Sequence, residues 1–211
     1  MVPGNRGAWL PSPRGDSTPS ERTESTSPAI THQHNNSALT WAARHAPPSP
    51  PPLKVPLHLA DVVADVVALA AAESATRGIA IRTEVAPDLP VVLGDRVQLQ
   101  QVLLNLLVNG MDAMSAVAGG ERRLEIRARR ESEDGSPAAL LSVRDRGIGL
   151  PAGQVDGVFE AFYTTKPHGL GMGLAISRSI VEGHGGRLWA ERNQGPGATF
   201  SLRLPAAPAA S

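Results

Sequence analysis

Apolar residues recur with a helical period in three stretches of this chain. The predicted helices cover residues 59 to about 78, 95 to about 117 and 171 to 182. The third helix begins at Gly171 or Met172. Asp95 stands where its side chain can cap the second helix. The first helix shows apolar residues at i, i+3, i+4 and i+7, namely Leu59, Val62, Val63, Val66, Val67 and Ala70.

Alternating apolar and polar residues predict strands between these helices. The predicted strands cover residues 79–85, 124–130, 139–145, 187–191 and 198–204. Turn residues separate several of them as in hairpins, and a long Gly- and Pro-containing stretch before the third helix is expected to be irregular. The pattern predicts an α/β (α+β) two-layer sandwich, with a mixed, mainly antiparallel sheet covered on one face by helices.

The N-terminal part differs in composition from the rest. Eleven of the 19 prolines lie within the first 56 residues, among Ser, Thr, Asn and Gly, and apolar residues are isolated. Such a sequence buries too little apolar surface to offset its ordering entropy, so residues 1–53 are expected to be disordered. They would serve as a spacer or as a proline-rich ligand of an SH3-like module. Residues 54–206 form the expected domain, and 207–211 a tail.

Composition narrows the possible partners and location. The 20 basic residues balance the 20 acidic ones, so no nucleic-acid partner is expected. The chain has no cysteine, which excludes disulfides and thiolate chemistry. No apolar run reaches the roughly 20 residues that cross a bilayer, and no signal pattern is present, so a cytoplasmic location is expected.

A stripe of polar side chains crosses the otherwise apolar second helix. Gln101, Asn105, Asn109 and Asp112 lie at i, i+4, i+8 and i+11, which places them on one narrow face. The stripe is either the solvent face of the helix or a binding surface. Amide oxygens suit Mg²⁺ that is held mainly by phosphates.

Two glycine clusters follow this helix. Asp145 ends a strand before Gly147 and Gly149, where a carboxylate can accept a hydrogen bond from adenine's amine and glycines allow close approach of a flat ring. The cluster from Gly169 to Leu174 begins a helix, whose N–H groups suit phosphate oxygens. An ordinary Asp-Arg-Gly turn and a flexible linker are the alternatives.

Taken together, these segments resemble the histidine-kinase ATP-binding domain, the Bergerat-type fold shared with gyrase, Hsp90 and MutL. The resemblance covers about residues 54–206. Its motifs, in the family's order, are the N box, G1 box, F box, G2 box and closing strand, which match Asn105 to Asn109, Asp145 to Gly149, Phe159 to Lys166, Gly169 to Leu174 and Gly197 to Phe200. The resemblance implies binding of ATP and Mg²⁺ and transfer of the γ-phosphoryl group to a protein histidine.

The resemblance also implies roles in metal binding and catalysis. Asn109, helped by Asn105, would hold Mg²⁺, and Gln101, Asn105 and Lys166 are the expected catalytic residues. Gln101 stands where the family often has Glu or His, and an amide cannot act as a general base. This departure argues against efficient ATP hydrolysis and fits transfer to a protein side chain. Asp112 replaces a residue that is often basic in relatives and touches phosphate, which puts that contact in doubt.

Further roles concern the nucleotide itself. Asp145 would bind the adenine amine, with Thr199 supporting it through water, while Gly147, Ile148 and Gly149 would border the base. The short ATP lid and the triphosphate contacts would come from Lys166, Gly169, Leu170, Gly171, Met172, Gly173 and Leu174.

The phosphoacceptor histidine of such kinases is not recognisable in this sequence. In the family that histidine is followed by Glu or Asp in a helical segment, and none of the six histidines here precedes an acidic residue. The expected partners are therefore a histidine-containing dimerisation hairpin or a full-length kinase, and a response regulator downstream. The chain would be a fragment, a mis-started reading frame or a module acting in trans. An anti-sigma-factor-type serine kinase and a non-catalytic ATP-binding switch remain alternatives.

Overall fold

A computed structural model describes residues 54–115, 117, 121–133, 135–151, 155–164 and 170–208. The predictions for residues 1–53, Lys166 and Gly169 lie outside these residues. Within the described part, no helix combines the length and apolar character needed to cross a bilayer.

Helices and strands follow the predicted order closely. The helices are α1 (Leu59–Thr76), α2 (Arg96–Ser115) and α3 (Gly173–Gly183), with a short 3-10 turn at Gly157–Phe159. The strands are β1 (Val55–Leu57), β2 (Ala80–Val85), β3 (Val92–Gly94), β4 (Arg123–Glu133), β5 (Ser136–Arg144), β6 (Arg187–Arg192) and β7 (Ala198–Pro205).

Five strands form the main sheet, in the order β2-β4-β5-β7-β6. β2 pairs with β4 in parallel, whereas the β4–β5, β5–β7 and β6–β7 pairs are antiparallel. A mixed, mainly antiparallel sheet with helices confirms the predicted fold class.

One face of this sheet forms the core with the helices. Leu124, Ile126 and Ala128 of β4 are buried, whereas Arg127 and Arg129 between and beside them are exposed. β4 therefore has one apolar and one polar face, as the alternation predicted. The apolar residues of α2 are buried as well, namely Leu99, Val102, Leu103, Leu106, Leu107, Met111 and Met114.

A second, two-stranded sheet was not predicted from the sequence. β1 pairs with β3 in antiparallel fashion, with Leu57 opposite Val92. Val92 also forms a bridge with Ala206, just after β7. Three residues are too few to show an alternation, so pairing between distant segments defines these strands.

The start of α2 is fixed by two side chains. The Gln98 N–H donates to Oδ1 of Asp95 at 3.1 Å, which confirms the predicted cap. The Asp95 N–H donates to Nε2 of buried His184 at 3.0 Å, while Nδ1 of His184 lies 2.7 Å from the Ile180 carbonyl oxygen. His184 thus joins the end of α3 to the beginning of α2.

Candidate functional site

Asp145 follows β5 and carries a buried carboxylate. The residue is 3% exposed. Its Oδ1 accepts hydrogen bonds from the N–H groups of Gly147, at 2.8 Å, and Ala198, at 3.3 Å. Burial raises the pKa of the Asp145 carboxyl above its ordinary value, and the backbone hydrogen bonds oppose this shift. The carboxylate is therefore held in place through one oxygen, by its own loop and by the start of β7.

The glycines after Asp145 allow the loop to pack tightly on α2. A Cβ on Gly147 would lie 2.5 Å from the carbonyl carbon of Ala113, and the Ile148 N–H donates to the Ala113 oxygen at 3.3 Å. Gly149 has a φ of 72°, where glycine is favoured. The sequence suggested these glycines for approach to a flat ring, and the structure gives a further reason, which is contact with the protein itself.

Asp145 also packs against α2 at Gly110. A Cβ on Gly110 would be 3.3 Å from the Asp145 Cβ. Gly110 directly follows Asn109, so the adenine-binding candidate and the metal-binding candidate adjoin along α2.

The polar stripe of α2 divides into two environments. Gln101 is exposed, whereas Asn105, Asn109 and Asp112 are half-buried. Nδ2 of Asn109 lies 3.5 Å from Oδ1 of Asn105, which makes a long hydrogen bond between the two amides. The middle of the stripe is therefore partly enclosed rather than a simple solvent face.

The start of α3 packs directly against Asn105. Nδ2 of Asn105 donates to Oγ of Ser177 at 3.0 Å. One turn earlier, a Cβ on Gly173 would lie 2.6 Å from Oδ1 of Asn105. The N box and the G2 box, 68 positions apart between Asn105 and Gly173, therefore meet at one point.

Ser177 was not among the residues that the sequence analysis selected. It lies four positions before Val181, and both are buried. A polar residue on the face that an amphipathic helix buries was the available signal, but its partner on α2 is 72 positions away.

The backbone of the F box is in direct contact with the backbone of the G2 box, at Phe162 and Gly171. The Phe162 N–H donates to the Gly171 oxygen at 3.0 Å, and a Cβ on Gly171 would lie 2.5 Å from the Phe162 carbonyl carbon. Phe162 is 75% exposed and has a φ of 70°, a rare conformation outside glycine. Three apolar residues close to Gly171 in the sequence are also exposed, namely Leu170, Met172 and Ile176.

Thr199 does not bond directly to the Asp145 carboxylate. Its hydroxyl donates to Oδ1 of Asn193 at 2.7 Å, and Nδ2 of Asn193 donates to the backbone oxygen of Asp145 at 3.0 Å. The neighbouring Ala198 supplies the N–H that reaches the carboxylate. The water-mediated role of Thr199 stays a prediction. Asn193, which links Thr199 to the Asp145 backbone, was not predicted from the sequence.

Asp112 forms an ion pair with Arg77, the residue that directly follows α1. Its Oδ1 lies 2.5 Å from an Nη atom of Arg77, which also contacts Glu73 at 2.6 Å. Hydrogen bonding to Asp112 and then to Glu73 raises the pKa of the Arg77 guanidinium. The acidic residue at this position thus joins α2 to the end of α1.

The region from residue 94 to 208 matches the family model described as histidine kinase-, DNA gyrase B- and HSP90-like ATPase. Among characterised proteins, the sensor histidine kinase TmoS of Ectopseudomonas mendocina is 40% identical over 134 residues, which cover 64% of this chain and 14% of TmoS. The sensor protein FixL of Bradyrhizobium diazoefficiens is 42% identical over 139 residues, covering 66% of this chain and 26% of FixL. The chain therefore spans about a quarter or less of the length of these two relatives.

Solved structures show the same similarity. Full-length ShkA in complex with AMPPNP aligns with a TM-score of 0.63 and 30% identity, over 75% of this chain and 32% of ShkA. The catalytic domain of the histidine kinase ThkA, nucleotide-free, aligns with a TM-score of 0.61 and 28% identity, over 74% of this chain and 97% of that domain. The mycobacterial sensor histidine kinase MprB aligns with a TM-score of 0.59 and 29% identity, over 74% of this chain and 99% of the MprB chain.

Proposed function

Because this chain belongs to the family of histidine kinase-, DNA gyrase B- and HSP90-like ATPases, we propose that it binds Mg²⁺-ATP and donates the γ-phosphoryl group to a histidine of a partner protein. The observation that carries the proposal is the buried Asp145 carboxylate packed against α2, the helix whose Asn105 contacts the start of α3.

Asp145 would recognise adenine. Both of its backbone hydrogen bonds end on Oδ1, so Oδ2 is the oxygen that adenine's exocyclic amine would approach. A buried, charge-assisted hydrogen bond of this kind is strong and geometrically specific. Gly147, Ile148 and Gly149 would border the base.

The amides of α2 fit a magnesium ion that is shared with phosphate. Asn109 and Asn105 offer neutral oxygens rather than several carboxylates, and Mg²⁺ commonly combines few protein ligands with phosphate oxygens. The hydrogen bond between the two amides supports one fixed orientation of each. When bound, the ion would neutralise charge on the transferring phosphoryl group.

The lid would hold the triphosphate. α3 begins at Gly173, and free N–H groups at a helix start favour anions. Gly169, Leu170, Gly171, Met172 and Leu174 would complete these contacts. Lys166 would add a positive charge to them.

Gln101 would not activate water. An amide has no basic site at neutral pH, so the chain lacks the carboxylate or imidazole often found there. Gln101 is exposed one turn before Asn105, where an incoming side chain can approach. The phosphoryl group would pass to an acceptor histidine by positioning and charge neutralisation.

The relatives are named as a sensor histidine kinase and a sensor protein, which supports a proposal for the partners. We propose a histidine-containing dimerisation hairpin or a full-length kinase as acceptor, and a response regulator downstream. The cytoplasmic location expected from the sequence, the limits of the domain and the roles of Lys166 and Gly169 stay predictions.

The decisive experiment follows the γ-phosphoryl group. The chain is incubated with Mg²⁺ and γ-³²P-ATP, alone and with an isolated histidine hairpin from a sensor kinase, and acid-labile label is measured. Label on the hairpin that requires both the chain and Mg²⁺ supports the proposal. ATP binding without any transfer would instead favour the nucleotide-binding switch, and acid-stable label on an antagonist's serine would favour the serine kinase.

A further inference from the structure

Ser177 is a buried hydroxyl that faces the asparagine pair. It is 2% exposed, and it lies on the side of α3 that packs toward α2. Burying a hydroxyl costs free energy unless the group forms a hydrogen bond. Here its Oγ accepts the hydrogen bond from Nδ2 of Asn105 at 3.0 Å.

This bond fixes the place of the Asn105 amide, while the contact with Asn109 selects which way the amide faces, because a hydroxyl can pair with either of its ends. With Nδ2 directed to Ser177, Oδ1 lies on the other side of the amide, within 3.5 Å of Nδ2 of Asn109. A flipped amide would present two N–H₂ groups to each other and lose this second hydrogen bond. Ser177 thereby starts a relay that passes through Asn105 and ends at Asn109.

The same turn of α3 controls how closely the helix start approaches. Gly173 lies four positions before Ser177 and packs its bare Cα against Oδ1 of Asn105. Gly173 and Ser177 thus contact the two ends of one amide. The phosphate-binding turn and the metal-binding amides have a common point of attachment.

We propose that Ser177 is a positioning residue, which orients the Asn105 and Asn109 amides for Mg²⁺ and the phosphates. The proposal rests on the function proposed above. It predicts a split: loss of the hydroxyl weakens binding of Mg²⁺-ATP while binding of adenosine, which needs only the Asp145 side of the site, is unchanged.

The test compares Ser177→Thr with Ser177→Val in the full chain. The two side chains have nearly the same shape and differ in the hydroxyl, so any crowding from the extra methyl is shared. Binding of Mg²⁺-ATP and of adenosine is measured by calorimetric titration. We expect the Val variant to bind Mg²⁺-ATP about 5- to 10-fold more weakly than the Thr variant, the usual effect of one hydrogen bond. Adenosine affinity should agree within about twofold.

Controls separate positioning from folding. Ser74→Ala removes another buried helical hydroxyl, which bonds to the Ala71 oxygen on α1, and it should leave both affinities unchanged. If Ser177→Val does not fold, Ser177→Ala is compared with the wild type by the same two titrations. Equal Mg²⁺-ATP affinity with and without the hydroxyl, or equal weakening of both ligands, overturns the inference alone. Failure of the wild type to bind Mg²⁺-ATP overturns the proposed function as well.

Discussion

Asp145 is held in a buried position that opposes the charged form of its carboxyl. Desolvation raises the pKa of its carboxyl, while two backbone N–H groups partly offset the cost of the charge. A binding group of this kind lowers the stability of the ligand-free protein at neutral pH. Function and stability therefore conflict at this residue.

Asp145→Asn should separate these two effects. The amide oxygen can keep both backbone hydrogen bonds, so the fold should persist, while adenine loses its acceptor. We expect the affinity for ATP to fall by about 10- to 100-fold, as for a hydrogen bond to a charged group. Unchanged ATP affinity in a folded Asp145→Asn variant would contradict the adenine role.

The pH dependence of this variant gives a separate check. The folded-state pKa of Asp145 lies above its ordinary value of 3.8, so the wild type loses stability as pH rises from that value through the raised pKa. Asp145→Asn has no such loss. The free energy of unfolding is measured for both proteins by urea titration at several pH values. The difference in favour of the variant should grow as the pH rises through this range and stay constant above it. ATP affinity of the wild type should change oppositely, falling as the pH drops through the raised pKa.

Gln101→Glu should create a general base beside the phosphate site. A carboxylate one turn before Asn105 could activate water, so we expect ATP hydrolysis to rise at least about tenfold. Phosphate release measures this rate. Gln98→Glu adds the same charge to the first turn of α2 and serves as the control. If the two variants hydrolyse ATP at the wild-type rate, the assigned position of Gln101 is wrong.

Residue type alone selected some residues of the candidate site and missed others that the structure brings next to them. Asp145 and Asn109 were predicted because a carboxylate before glycines and an amide in an apolar helix are unusual in themselves. Ser177 and Asn193 were not, since their partners lie 72 and 48 positions away along the chain. Their roles depend on distances that only the folded structure defines.

Among the elements, the G1 loop depends on contact with α2. A methyl group on Gly147 would collide with the backbone around Ala113, which cannot move without disturbing the helix. Gly147→Ala should therefore lower the free energy of unfolding by about 1–3 kcal/mol, as overpacking does, and weaken adenosine binding. Urea denaturation and titration measure the two effects. Gly195→Ala is the matched control, because a Cβ there meets nothing within 4 Å.

The ion pair between α1 and α2 should contribute little by itself. Arg77 and Asp112 have side chains that are 27% and 28% exposed, so solvent screens them in part. A double-mutant cycle with Arg77→Met and Asp112→Asn should give a coupling of about 0.5–1 kcal/mol that weakens as salt is added. Chemical denaturation of the four proteins provides the measurement. A coupling near zero at low salt would show that the contact is incidental.

Elements with a strong period were predictable, and short ones were not. α1 and α2 each span at least four helical turns, enough for an apolar face to appear in the sequence. β1 and β3 have three residues each, so tertiary pairing rather than pattern defines them. The predicted helix ends differ from the observed ones by a few residues, because terminal turns depend on local capping.

At the scale of the whole molecule, a ligand that binds only the folded form should raise the free energy of unfolding. A ligand that binds the folded form at 100 times its Kd adds about 2.7 kcal/mol to the free energy of unfolding. Mg²⁺-ATP should therefore raise the melting temperature of the wild type by several degrees and that of Asp145→Asn by about half of this shift or less. Calorimetry with and without the nucleotide measures both shifts. Equal shifts in the two proteins would place the binding elsewhere.

Val92 lies between the first strand and the residue that follows the last strand. It pairs with Leu57 on one side and bridges to Ala206 on the other. Two residues beyond β3, Asp95 caps the helix that carries the asparagines. A mechanical load applied through either flank, at residue 54 or beyond 206, would thus reach β3 as shear before it reached the sheet. Such a load would therefore act on the pairings of β3, directly before the start of α2.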